Sequence, residues 1–458
     1  MQIRQHIRVN LLLAGPVMLS MLGQVMTGVA DSVMIGWTGA TPLAAASLAN
    51  VVFTLLLTFG IGISYAITPL VAEAHGRQSR QEVSDLLRHG LLIGTVSGIV
   101  LVGIGLAATP LMHHINQPAE VVRLALPYQH IILVSIFPTM LFQTGRQFAE
   151  GLHQTFQAMV VVITCNLINI ALNYLLIFGK MGFPALGLNG AGWATLIART
   201  IMGIWMIAYV YSSQRFSSFR SGFAVGNYSG TLISKMLHIG IPAGIQFIFE
   251  VSAFGFSAIM MGWLGTTALA AHQIAINLAT ISYMMTSGLG AAATIRVGNY
   301  LGQRNFRLLR EAAFTLLGMG AGIMMLWGIV FLFGRYYLPS LYISEEEVIH
   351  TAAPLLVIAA LFQLWDGLQV VCAGALRGLQ DVKIPSLLIF IAYWIIGLPM
   401  GYVLGFKLNW GPGGIWIGLL IGLFVTASAM VWRFNRLSRQ LMARLQEGFV
   451  SSEKIIPS

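Results

Sequence analysis

With 458 residues, 57% of them hydrophobic and only 9% charged, and a mean hydropathy of +0.80, this chain lacks the composition of a water-soluble globular protein, in which about 25% of residues are charged. In a lipid solvent only helices and closed barrels satisfy every backbone hydrogen bond. The apolar runs are continuous and about 20 residues or longer, not short and alternating, which excludes a barrel and predicts an all-α polytopic membrane protein.

Taken in chain order, the apolar runs predict twelve spans, near 10–36, 44–72, 87–110, 122–147, 157–179, 188–211, 237–263, 269–298, 308–334, 349–376, 384–406 and 413–434. Arg4 and Arg8 precede an apolar run that reaches Trp37. That run exceeds the roughly 7–15 residues of a signal-peptide core, so a retained first span is expected. The connections are short except for the polar stretch after Tyr211, which reads as a linker. The expected domains are a six-helix lobe over 1–212, a linker over 213–236, a second six-helix lobe over 237–436 and a tail over 437–458.

Twenty of the 25 basic residues fall on one side of this arrangement, against Arg123, Lys180, Arg335 and Lys407 on the other, with Arg199 left inside the sixth span. The positive-inside bias then predicts a multi-pass protein with both termini in the cytoplasm. It also accounts for the net charge of +10 without nucleic acid as a partner. Cys165 and Cys372 both fall in apolar spans and read as buried hydrophobes. No His/Cys/Asp spacing suits zinc, and no cofactor is expected. A membrane-embedded enzyme would need an acid/base cluster, and none surrounds His113, His114 or His130.

Of the 15 acidic residues, three lie inside spans: Asp31 in the first, Glu250 in the seventh and Asp366 in the tenth. Such residues normally face a cavity or a partner and mark ion or substrate pathways. A protonated carboxyl bonded to a neighbouring helix is the structural alternative.

The chain also repeats itself. At an offset of 226, Pro16 meets Pro242, Gly36-Trp37 meets Gly262-Trp263, and Gly39, Gly62 and Gly76 meet Gly265, Gly288 and Gly302. Two parallel six-helix repeats imply a pseudo-twofold axis along the membrane normal and a cleft between lobes, as in known carriers. The carboxylates are not repeated: Asp31 maps onto Ser257, Glu250 onto Gln24 and Asp366 near Thr139. Shared residues therefore read as scaffold and the unshared charges as lobe-specific function. Pro16 and Pro242, deep in their spans, are either hinges or fixed kinks. In the fifth span Asn166, Asn169 and Asn173 share one helical face. Together with Asp31 they form either an oxygen-rich pocket for a small hard cation such as Na+ or a polar seam between helices.

These residues, read in order, resemble the multidrug and toxic compound extrusion (MATE) family, in its NorM-like bacterial branch. The likeness rests on Pro16 followed by Asp31 in VADSVMIG, FIFEVSAF around Glu250, AAHQIAIN at 270–277, AAATIRVGNYLGQ at 291–303 and LFQLWDGLQVVCAGALRGLQD at 361–381. The resemblance implies export of organic cations and drugs in exchange for Na+ or H+. It implies one cation site at Asp31, Asn169, Asn173 and Thr195, and a second at Glu250 and Asp366. Some relatives carry a tyrosine four residues before the second-lobe aspartate; Phe362 stands there in this chain. The expected protein is a monomeric antiporter working by alternating access in the lipid bilayer. The rival is a lipid-linked precursor flippase of related scaffold, which should need extra spans or a strongly basic cleft.

Overall fold

The structure, a computed structural model, describes residues 3–114 and 117–453. Among them, twelve helices are long and apolar enough to cross a membrane: α1 Arg4–Gly36, α2 Ala40–Gly76, α3 Arg80–Met112, α4 Ala119–Gly151, α5 Phe156–Phe178, α6 Leu188–Ser212, α7 Gly230–Leu264, α8 Thr266–Gly302, α9 Phe306–Phe333, α10 Glu346–Gly378, α11 Lys383–Lys407 and α12 Gly411–Ala443. No strand occurs among the described residues. The all-α polytopic expectation holds, with the spans where hydropathy places them.

Helix α3 shows why such a sequence packs in lipid. Val96, Ile99, Val100 and Ile104 form an exposed apolar stripe. The opposite face carries Gly94, Gly98 and Gly105, where an added Cβ would meet Thr144, Phe137 and Leu133. Lipid removes the hydrophobic drive between helices, so small residues that allow close approach decide which faces meet.

The chain forms two compact units: Met1–Met18 with Phe249–Ser458, and Leu19–Ile248. Their contacts carry the sequence repeat into three dimensions, each inside its own unit. Thr68 donates to the Gln147 carbonyl at 3.0 Å, and its counterpart Thr294 donates to the Gly374 carbonyl at 2.9 Å. Gly39 and Gly265 start α2 and α8 with φ of 130° and 122°, a region only glycine enters freely. Gln78 and Arg304, and likewise His153 and Gln380, adopt left-handed conformations (φ of 59°, 56°, 64° and 61°) at matching helix ends.

The unit boundaries differ from the expected 1–212 and 237–436. They fall inside α1 and α7, shortly after Pro16 and Pro242. Side-chain chemistry explains the assignment. The opening turns of α1 are tied into the first unit by buried Arg296, which donates to Asn10 Oδ1 at 2.5 Å, to His6 Nδ1 at 3.0 Å and to Tyr300 Oη at 3.0 Å. The opening turns of α7 carry Gly240 and Gly244, four residues apart, which lie directly on the backbones of Ile63, Phe59 and Gly62 in α2. Both helices run through their prolines without interruption, so hydropathy alone shows no break.

The stretch read as a linker is folded. Residues Gln214–Phe223 form 3-10 turns. Phe216, 1% exposed, packs against Phe148 and Tyr209. Arg88 Nη2 donates to the Ser221 carbonyl at 2.8 Å. Of the expected tail, residues up to Glu453 continue the last helix and 454–458 lie outside the described residues.

Helices α11 and α12 meet along a glycine ladder, Gly397, Gly401 and Gly405 against Gly414, Gly418 and Gly422. Two π-helical stretches, Ile391–Gly397 and Val403–Lys407, interrupt α11 beside this ladder. A Cβ at Gly418 would collide with the Gly401 backbone. The Gly418→Val variant is therefore expected to lose about 1–3 kcal/mol or more of stability through overpacking. A thermal unfolding midpoint equal to that of the unsubstituted protein would show that the ladder is not under this constraint.

Candidate functional site

Within the unit Leu19–Ile248, the asparagine face of α5 meets the second half of α1. The spacing of three and four residues puts Asn166, Asn169 and Asn173 on one side of the helix. A chain of hydrogen bonds runs from there. Asn173 Nδ2 donates to Asp31 Oδ1 at 2.5 Å and to Asn169 Oδ1 at 3.3 Å. Asn169 Nδ2 donates to Thr195 Oγ1 on α6 at 3.4 Å. The structure thus brings together Asp31, Asn169, Asn173 and Thr195. Asn166 stays outside the chain, and its Nδ2 is buried without a hydrogen-bond partner.

Two cavities flank Asp31. One, of about 180 Å³, is lined by Gln24, Asp31, Gln143, Asn166 and Asn169, and the other, of about 150 Å³, by Asp31, Ser47, Asn50 and Tyr128. Thr195 and Arg199 line both. Asn173 Oδ1 and Gln143 Oε1 are buried acceptors with no donor. A carboxylate, two amide oxygens and a hydroxyl oxygen form a hard donor set that can hold a small cation.

Arg199 is a basic residue deep in a span, on α6. Its guanidinium is fixed: Nη1 donates to Ser135 Oγ at 2.8 Å, and Cζ lies 4.6 Å from the centre of the Phe53 ring. It interacts electrostatically with Asp31. A fixed positive charge beside the carboxylate competes with any cation entering there.

The second cluster lies in the other unit. Glu250 sits in the second half of α7 and Asp366 on α10, the latter 7% exposed. The two carboxylates are within electrostatic range of each other. Gln369, one turn after Asp366, donates to Glu250 Oε1 at 2.8 Å and accepts from Tyr393 Oη at 3.2 Å. Tyr393 is carried by the first π-helical stretch of α11. Phe362 is buried against Phe254 and Trp416, and Trp416 Nε1 reaches His272 Nδ1 at 3.1 Å. Its ring therefore serves packing where a hydroxyl would need a partner. Gln369 was missed in the sequence because a neutral amide carries no charge signal; its place one turn from Asp366 was the available clue.

Other candidates scatter. Pro16 and Pro242 lie in the opening halves of α1 and α7, shortly before the unit boundaries. His130 is exposed, and the side chains of His113 and His114 lie outside the described ones. Among the described residues no group of three or more His, Cys, Asp or Glu could hold a metal ion. Both cysteines are buried and free.

Comparison with known proteins agrees with this architecture. The MatE family model matches twice, over residues 16–175 and 242–403, beginning at Pro16 and again at Pro242. The chain is 35% identical over 443 residues to the probable multidrug resistance protein NorM of Rhizobium meliloti (strain 1021), covering 96% of this chain and 95% of the relative. It is 34% identical over 433 residues to the multidrug resistance protein NorM of Vibrio vulnificus (strain YJ016), covering 93% and 95%. Among solved structures, the eukaryotic MATE transporter AtDTX14 superposes with a TM-score of 0.86 at 20% identity, over 96% of this chain and 99% of that one. A MATE crystal structure in a bent conformation superposes with a TM-score of 0.88 at 19% identity, over 97% and 99%. Twelve spans, a doubled frame matched twice by one family model and near full-length likeness to NorM proteins together place this chain in the MatE family of transporters, in its NorM branch.

Proposed function

We propose that the protein is a secondary active exporter of lipophilic organic cations and drugs, driven by exchange with Na+ or H+. The observation that carries this reading is Asp31, a carboxylate at membrane depth tethered by Asn173 and flanked by two cavities. A carboxylate in that position is tolerated only where a cation or a partner meets it. The second cluster at Glu250 and Asp366 supplies a further carboxylate pair and gives the two units different tasks. The names of the NorM relatives support drugs as the cargo.

The mechanism is alternation between states open to opposite sides of the membrane. An ion gradient drives such a cycle only if the ion binds the two states with different affinity. Neutralising Asp31 changes its bond to Asn173 and its attraction to Arg199, and that supplies the difference. The skewed distribution of basic residues supports an orientation with both termini in the cytoplasm, across the inner membrane of a bacterial cell; the monomer is the proposed working unit.

Proteoliposomes holding a fluorescent organic cation test this directly, with a Na+ gradient and a pH gradient imposed separately. At least one gradient is expected to drive transport. Transport indifferent to both would refute antiport. In the same assay the Arg199→Gln variant is expected to bind the coupling ion roughly three- to tenfold more tightly, because a nearby positive charge is gone. An unchanged ion affinity would remove Arg199 from the cycle.

A further inference from the structure

We propose that the unit containing α9, α10 and α12 carries a built site for one anionic phospholipid. The site has an apolar part and a charged part. The apolar part is a groove of about 380 Å³ lined by Phe314, Leu317, Gly318, Trp365, Ala427 and Val431, among others. Spacing explains its shape. Phe314, Leu317, Gly318 and Ala321 share one face of α9, and Ala427, Ser428 and Val431 share the facing side of α12. Glycine, alanine and serine leave the floor low. Phe314 and Trp365 stand as walls, the Trp365 ring held edge-on by Phe424 with centroids 4.6 Å apart. A Cβ at Gly318 would meet nothing within 4 Å, so this is open space rather than close packing.

The charged part begins one turn along α9. Arg310 stacks on Phe314 at 5.1 Å from the ring centre, and its guanidinium donates to the Asn435 carbonyl at 3.2 Å, to Asn435 Oδ1 at 2.9 Å and to Ser438 Oγ at 2.5 Å. All of these acceptors are neutral. Arg439 lies within electrostatic range of Arg310. Arg436 lies over exposed Trp432, 5.4 Å from its ring. Neighbouring cations are already paired, Arg307 with Glu311 at 2.9 Å and Arg433 with Asp381 at 2.5 Å. Arg310, Arg436 and Arg439 have no carboxylate partner among the described residues, so uncompensated positive charge gathers at the end of α12 that follows the groove. An exposed tryptophan beside them suits headgroup depth.

The repeat sharpens the argument. At the offset of 226, Arg310 and Phe314 correspond to Ser84 and Arg88 of α3. There Gly222 sits against Ser84 and Leu87, and Arg88 bonds the Ser221 carbonyl. In that copy the chain itself seals the face and occupies the cation. In the α9 copy no such segment covers the face among the described residues, Arg310 meets only neutral acceptors on α12, and the surrounding solvent is lipid. An acyl chain fits the groove and a phosphate fits the arginines. This inference does not depend on which ion or drug is transported.

Native mass spectrometry of the purified full-length protein tests the site, with phosphatidylglycerol and phosphatidylethanolamine as competing probes during delipidation. The unsubstituted protein is expected to retain one phosphatidylglycerol in preference to phosphatidylethanolamine. The double variant Arg436→Gln/Arg439→Gln alters exposed residues only, and should lower that retention roughly tenfold or more. Gly318→Leu, which adds bulk to open space, should abolish it while leaving the thermal midpoint in place. Equal retention of the two lipids, or undiminished phosphatidylglycerol in both variants, would overturn the proposal.

Discussion

The Asp31→Asn protein is expected to fold and bind drug but to lose ion-driven efflux by roughly tenfold or more, a difference of about 1.4 kcal/mol. Asparagine has nearly the same shape, and its Oδ1 can still accept the 2.5 Å bond from Asn173 Nδ2. What disappears is the negative charge, and with it any binding energy that an arriving cation gains at this position. Without a difference in ion affinity between two states, a gradient has no hold on the equilibrium. The informative comparison is drug binding against gradient-driven transport in the same preparation. Full coupled efflux by the variant would show that Asp31 is not the coupling group and would shift the role to Glu250 and Asp366. A variant that neither binds drug nor transports would point instead to a structural carboxylate.

The largest expected loss of stability comes from a different buried charge. Arg146 Nε donates to Glu150 Oε1 at 2.6 Å within α4, and the two residues are 3% and 2% exposed. Removing one partner of such a pair leaves an uncompensated charge out of reach of water, at a cost of about 3–5 kcal/mol. Arg146→Ala should therefore lower the thermal unfolding midpoint sharply, whereas Arg146→Met combined with Glu150→Leu should recover much of the loss by replacing both charges with apolar volume. If the single and double variants melt together, the penalty does not come from the orphaned carboxylate.

Much of this architecture is visible in the sequence, for a physical reason. Lipid imposes long apolar helices, so hydropathy alone locates all twelve spans, and any charge that survives inside one stands out. Asp31, Glu250 and Asp366 are legible on that ground, and the asparagines of α5 by their helical spacing. What stays hidden depends on contacts between distant segments. The bond from Gln369 to Glu250 joins residues on α10 and α7. Tyr393 reaches Gln369 from a π-helical stretch that no residue pattern announces. Arg199 is conspicuous as a charge, but its anchoring by Ser135 and Phe53 depends on where α2, α4 and α6 meet. The polar stretch after Tyr211 misleads for the opposite reason: its composition is that of a free linker, yet three well-placed aromatic rings, Phe216, Phe219 and Phe223, secure it to Phe148 and Tyr211.

The division of α1 and α7 between the two units bears on the origin of the chain. Each repeat completes its packing only with the opening turns of the other repeat's first helix. A half-length chain on the same plan would need a second copy to supply that segment. It also means that either half, made alone, would be an open vessel waiting for its complement.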